Sequence, residues 1–133
     1  MSDEVLVPIR ADVDVLAARQ AGRRLAISLR LSPSEQTLIA TAISEVARNI
    51  VSYAKEGEIE LRVVRKGAKR GLLVIARDQG PGIRDIEQAM QDGFSTSRSL
   101  GLGLPGSKRL MDEFEIVSAV DKGTTVIMTK WER

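Results

Sequence analysis

Leu72-Leu73-Val74-Ile75-Ala76 is a continuous apolar run, and two residues on the chain reaches Asp78-Gln79-Gly80-Pro81-Gly82. An apolar run of that length closed by turn residues reads as a buried strand. This strand carries a carboxylate to its end and sets it in a glycine turn. Just upstream, Glu58 to Val64 alternates in polarity and places Ile59, Leu61 and Val63 on one face of a half-buried strand. The basic stretch Lys66-Gly67-Ala68-Lys69-Arg70-Gly71 between the two reads as a solvated hairpin tip.

The rest of the chain is organised around that pair. Val5 to Ile9 reads as a short first strand, and Pro8, which has no N–H for a ladder, puts it at an edge. Asp12 is the expected cap of an amphipathic helix from about Val13 to Leu29. Ser32-Pro33-Ser34-Glu35 starts a second helix with a hydroxyl cap, Pro at the first position and an acidic first turn. That helix is expected to run to about Ala54, with Gly57 as its stop. Gly82 to Met90 is weakly helical, Gln91 to Leu100 is irregular, and Gly103 to Phe114 reads as a third main helix. Phe114 to Val120 and Thr124 to Trp131 read as strands joined by a hairpin at Asp121-Lys122-Gly123. Hairpin-linked strands with the helices gathered elsewhere predict an α+β fold, a mixed sheet with helices on one face, formed by residues 1–133 as one domain.

Two absences narrow the chemistry. With no Cys among the 133 residues, thiolate catalysis, disulfide frameworks and Cys-based zinc sites are excluded. With no His, imidazole catalysis and any phosphohistidine on this chain are excluded too. Carboxylates, Lys or a bound metal must then carry any proton transfer. A net charge of only +2 and few aromatic residues argue against a nucleic-acid partner. No apolar run approaches the roughly 18 residues needed to cross a bilayer, and the N-terminus has no signal-like core, so no membrane association and a cytoplasmic location are expected.

Three stretches carry candidate chemistry. On the second helix, Ile39, Ile43, Val46 and Ile50 share one side, while Thr41, Glu45, Arg48, Asn49 and Ser52 share the other. A solvated face with one Glu–Arg pair has that pattern, and so does a carboxylate and amide set one turn apart to hold a hydrated Mg²⁺. Asp78 to Gly82 alone has the residues of a plain turn, the commoner reading; the other is a carboxylate aimed at an exocyclic amine, with Gly80 and Gly82 letting a flat ring approach. Gly101 to Gly106 matches G-x-G-x-x-G, but it follows a Ser/Thr-rich stretch and not a strand, which excludes a dinucleotide-binding unit. No Gly-Lys-Ser/Thr closes it, which excludes a Walker loop. It remains either a flexible helix cap or a set of backbone N–H groups for phosphate.

In this order, Glu-x-x-Arg-Asn on a helix, Asp-x-Gly-x-Gly after a strand and Gly-x-Gly-x-x-Gly before a helix, the chain resembles the GHKL superfamily. That ATP-binding fold is shared by DNA gyrase, Hsp90, histidine kinases and MutL. Gly123-Thr124-Thr125 resembles the family's last box, so the likeness spans roughly Glu45 to Thr125. Without His and without a transducer domain, the chain is most similar to free-standing serine/threonine kinases of the bacterial partner-switching type. Ala42 to Ile50, Asp92 to Ser97 and Leu110 to Phe114 resemble the switch kinases of the stressosome, with anti-sigma kinases the nearest competitors.

The resemblance implies a two-layer sandwich of the Bergerat type that binds ATP and Mg²⁺. It implies that Asn49 ligates Mg²⁺, that Asp78 accepts from the adenine amine with support from Thr125 through water, and that Gly80 and Gly82 pass close to the ring. Gly101, Gly103 and Gly106 would hold phosphates, Glu45 would orient or deprotonate the attacking hydroxyl, and Arg48 would align it. The implied substrate is a serine of a STAS-domain scaffold; once released, the kinase would bind and activate a PP2C-type phosphatase. A third reading is a catalytically weak module that uses nucleotide only to change partners.

Overall fold

The computed structural model describes residues 4–82, 90 and 103–133. In chain order these form β1 (Glu4–Ile9), α1 (Asp12–Ser28), α2 (Pro33–Asn49), β2 (Gly57–Lys66), β3 (Lys69–Asp78), α3 (Gly103–Leu110), β4 (Glu113–Ser118) and β5 (Thr124–Trp131). The element order is the expected one. The helical reading beyond Gly82, the irregular stretch from Gln91 to Leu100 and the loop glycine Gly101 lie outside the described residues.

The five strands form one sheet in the order β1-β2-β3-β5-β4. Every neighbouring pair is antiparallel, so the sheet is not the mixed one expected. Connectivity explains the difference. Two helices between β1 and β2 make an even number of passes, so the chain returns reversed. Around α3, β3 and β4 do run the same way, but β5 inserts between them and pairs antiparallel with both.

Register decides which residues meet the helices. Ile59, Ala76, Val126 and Ile116 stand in one row across the sheet, and Leu61, Val74, Met128 and Phe114 in the next. These rows pack on Val15, Ala18 and Ala21 of α1 and on Ile39, Ile43, Val46 and Ile50 of α2. The other face carries an ion-pair lattice instead: Arg77 Nη1 lies 3.1 Å from Glu58 Oε2, and Arg77 Nη2 lies 3.0 Å from Glu60 Oε1. Among the described residues helices thus cover one face only, giving the two-layer α+β arrangement. The continuous apolar run of β3 reflects its central place, where even Ile75 on the outer face is buried between β2 and β5.

Local signals account for most element ends. Ser32 Oγ accepts the Glu35 N–H at 3.1 Å, and Glu35 Oε1 accepts the Ser32 N–H at 3.2 Å, closing a reciprocal cap. At α1 the N-cap is Ala11, and Asp14 rather than Asp12 accepts the Arg10 and Ala11 N–H groups, at 2.8 and 3.1 Å. A side chain in the first helical position cannot reach back that far; the third can. The second helix departs from expectation after Asn49, where Ile50–Ala54 forms a π turn that ends at Lys55 with φ 72°. Gly57, expected as its stop, instead begins β2. The third helix ends at Leu110, four residues short of Phe114, because Phe114 pairs with Met128 in the sheet.

Candidate functional site at the end of β3

Asp78 is the last residue of β3, and alternation from Leu72, Val74 and Ala76 puts its side chain on the helix face. Its Oδ1 accepts two backbone N–H groups, from Gly80 at 2.9 Å and from Thr124 at 3.2 Å. Both bonds fall on one oxygen, so Oδ2 keeps its acceptor capacity among the described residues. A carboxylate held rigidly by one oxygen and open at the other is suited to an amine donor such as the 6-amino group of adenine.

The loop after Asp78 is pressed between two neighbours. A Cβ on Gly80 would lie 2.5 Å from the Ala54 Cβ, in the π turn. Gly82 has φ 76°, and a Cβ there would lie 1.9 Å from the Ala119 carbonyl oxygen. The Asp121 N–H donates to the Pro81 carbonyl at 2.7 Å, tying the loop to the β4–β5 hairpin. The expectation that these glycines leave room for a ring is therefore amended: the space a side chain would take is filled by the protein's own chain. They let the loop seat between helix and hairpin, which fixes where Asp78 points.

The hairpin also corrects a residue. Thr124 pairs with Asp78 across the ladder and shares its face, whereas Thr125 pairs with Arg77 on the opposite face. Thr125 therefore cannot support Asp78 from where the sequence reading put it; Thr124 can. The Thr124 Oγ1 lies 2.8 Å from Ser118 Oγ, which also donates to the Gly123 carbonyl at 3.0 Å. The period of two would have found it, since Val126 and Met128 point inward and Thr124 is in phase with them.

On α2, Glu45 is 3% exposed and accepts a bond from Arg48 Nη1 at 3.2 Å. Arg48 is partly exposed and reaches from Glu45 to a groove of about 290 Å³ between α1 and α2, lined by Asp12, Val15, Leu16, Arg19 and Ser44. Asn49, one turn beyond Glu45, is half-buried and closes the α-helical part of the segment. Five residues later Ala54 touches Gly80, so one continuous helical segment joins the Glu45–Asn49 face to the Asp78 loop. The π turn lies at that junction, a placement that π turns favour at functional sites. Nothing in the sequence announces it.

Gly103 is the first residue of α3, where backbone N–H groups have no partner inside the helix. Gly106 is buried in the first turn of the described helix. Among the described residues no three Asp or Glu side chains gather as a metal cage. An Asn49 amide near one carboxylate still fits Mg²⁺, which takes few protein ligands when phosphates supply the rest.

The model of the histidine kinase-like ATPase domain family matches residues 8–130. The chain is 51% identical to the serine/threonine-protein kinase RsbT of Bacillus subtilis over 133 residues, all of both chains. It is 35% identical to the anti-sigma F factor of Caldanaerobacter subterraneus subsp. tengcongensis, covering 80% of this chain and 78% of that one. Among solved structures, the RsbU and RsbW domains of a Mycobacterium tuberculosis protein superpose with a TM-score of 0.64 at 20% identity, covering 98% of this chain and 33% of that one. The mycobacterial sensor histidine kinase MprB superposes with a TM-score of 0.58 at 16% identity, over 100% and 99% of the two chains. At those identities the two structures speak for the fold alone.

Proposed function

The chain belongs to the histidine kinase-like ATPase family, and from that premise we propose a partner-switching serine/threonine-protein kinase that uses ATP to phosphorylate a serine of a STAS-domain stressosome scaffold. Once released from the scaffold it binds and activates a PP2C-type phosphatase in the cytoplasm. The observation that carries the kinase reading is the likeness, along the whole chain, to a relative that is itself a serine/threonine-protein kinase. Location follows from the signalling role; among the described residues no helix is long and apolar enough to cross a membrane.

Bound Mg-ATP supplies the phosphoryl group. The chain's own residues then divide the remaining work. Asp78 accepts from the adenine amine through Oδ2, with Thr124 beside it in place of Thr125. Gly80 and Gly82 keep the loop seated, and Gly101, Gly103 and Gly106 of the glycine motif bind phosphate through their backbone N–H groups. Asn49 offers its amide oxygen to Mg²⁺. Glu45, held by Arg48, accepts the proton of the substrate serine hydroxyl. Phosphoryl transfer asks mainly for positioning and charge stabilisation, and a buried, ion-paired carboxylate on a rigid helix supports that role.

The test is phosphate transfer from ATP to a purified STAS-domain partner, with Glu45→Ala as control. ATP binding without transfer to any STAS partner would leave only a nucleotide-dependent binding module. Co-purification with a sigma factor instead of a phosphatase would favour the anti-sigma reading, which the similarity to the anti-sigma F factor keeps in view.

A further inference from the structure

Lys130 sits on the inner face of β5, opposite Leu72 and only 6% exposed. A buried ammonium is costly unless it is satisfied, and an apolar side chain of similar volume would commonly serve stability as well or better. Here the ammonium has two specific neighbours. Nζ donates to the carbonyl of Leu110, the last residue of α3, at 3.0 Å, and lies 3.8 Å from Asp112 Oδ1. It thus satisfies one of the carbonyls orphaned at a helix C-terminus and puts a cation at the negative end of the helix.

The contact continues on both sides. Asp112 accepts the Trp131 N–H at 2.7 Å and an Arg133 N–H at 2.9 Å, while its own N–H donates to the Thr129 carbonyl at 2.9 Å. The Arg133 Nε lies 3.6 Å from Glu35 Oε2, on the capping residue that opens α2. A line of charged side chains therefore runs from the start of α2, through the C-terminal strand, to the end of α3. The opposite end of α3 is Gly103, roughly 12 Å away along a stiff helix.

We propose that Lys130 is a positioning residue that anchors the C-terminal end of α3 to the sheet and so sets where the helix presents its N-terminal backbone to nucleotide phosphates. The proposal rests on the ATP-pocket reading given above. The base end of the pocket, at Asp78 and Thr124, is built on β3 and β5 directly and does not depend on the Lys130 contact. Loss of the anchor therefore separates phosphate binding from base binding, which general loosening of the fold does not do.

The experiment is calorimetric binding of adenosine, ADP and ATP, each with Mg²⁺, to the full chain and to Lys130→Met and Lys130→Arg. Lys130→Met is expected to weaken ATP by about tenfold or more while adenosine stays within about twofold, and Lys130→Arg, which keeps the cation, to recover most of the ATP affinity. Equal weakening of adenosine and ATP, or no change in either, overturns the proposal. Should Lys130→Met not fold, Asp112→Asn keeps the shape and removes the charge beside Nζ; a loss confined to ATP supports the proposal, and an even loss or none overturns it. The underlying reading is scored separately by Asp78→Asn in the same assay, because unchanged ATP affinity there removes the adenine site itself.

Discussion

Thr124 lies directly opposite Asp78 across the β3–β5 ladder and donates its N–H to Asp78 Oδ1 at 3.2 Å. A bond from backbone to side chain between residues 46 positions apart thus fixes the carboxylate that ends β3. The neighbouring threonine faces the other way. Thr124→Val keeps that N–H but removes the hydroxyl proposed to support Asp78, and is expected to weaken ATP binding by about five- to tenfold, whereas Thr125→Val should leave it within about twofold. Calorimetry on the two variants decides between them, and the reverse ranking would sink the assignment of Thr124.

Asp78→Asn tests the acceptor itself. The amide oxygen can take over both backbone bonds at Oδ1, so the thermal midpoint is expected to stay within a few degrees. At the Oδ2 position an amide nitrogen would then meet an amine, donor against donor. ATP affinity is expected to fall by about 100-fold or more. Retained affinity would show that adenine is read elsewhere.

Glu45→Gln keeps the volume of a side chain that is 3% exposed and removes its charge. Phosphate transfer to a STAS-domain partner is expected to drop by about 10²–10⁴-fold, the usual range for loss of a positioned base. ATP affinity should change little, because the carboxylate acts on the hydroxyl and not on the nucleotide. A rate within a few-fold of wild type rules Glu45 out as the base.

Gly82→Ala probes the seat of the loop. With φ at 76° and a carbonyl oxygen where the methyl would go, the substitution forces backbone strain as well as a clash. A loss of at least about 1–3 kcal/mol is expected from the backbone alone, read as the urea midpoint. Nucleotide binding at a temperature where the variant is folded should also weaken, because the loop cannot seat.

Acid stability follows from Asp112. Burial alone would raise its pKa, but the Trp131 N–H, the Lys130 ammonium and the Arg133 guanidinium together hold it below the ordinary 3.8. A carboxyl whose folded pKa is depressed contributes stability that is fully present above its unfolded value and is lost as pH falls through the folded one. The contribution should therefore be intact at neutral pH and fade below about pH 4. Urea midpoints taken from pH 7 to pH 3 should show a shallower acid loss for Asp112→Asn than for wild type; parallel curves would contradict the assignment.

What the sequence disclosed depended on whether a feature is periodic or local. The Ser32 to Glu35 cap, the alternating β2 and the apolar β3 that delivers Asp78 are periodic or local, and they appear in the structure where they were read. The all-antiparallel sheet was not legible, because insertion of β5 between β3 and β4 is a choice among long-range pairings. The π turn after Asn49 was not legible either: Ile50-Val51-Ser52-Tyr53-Ala54 has no residue that demands it, and packing against Gly80 accompanies it. Thr125 was misread because a motif match carries no face. Lys130 gave no signal at all, since one lysine in a strand-forming run looks like a solvated one.

The insertion of β5 also governs when the pocket can exist. During synthesis β3 and β4 leave the ribosome before β5, the strand that lies between them in the sheet. Thr124, the partner of Asp78, arrives with that strand. Chains stalled before β5 should therefore hold no nucleotide, however well the earlier helices and hairpin have formed. In this topology the capacity to bind nucleotide waits on the strand that β3 and β4 share.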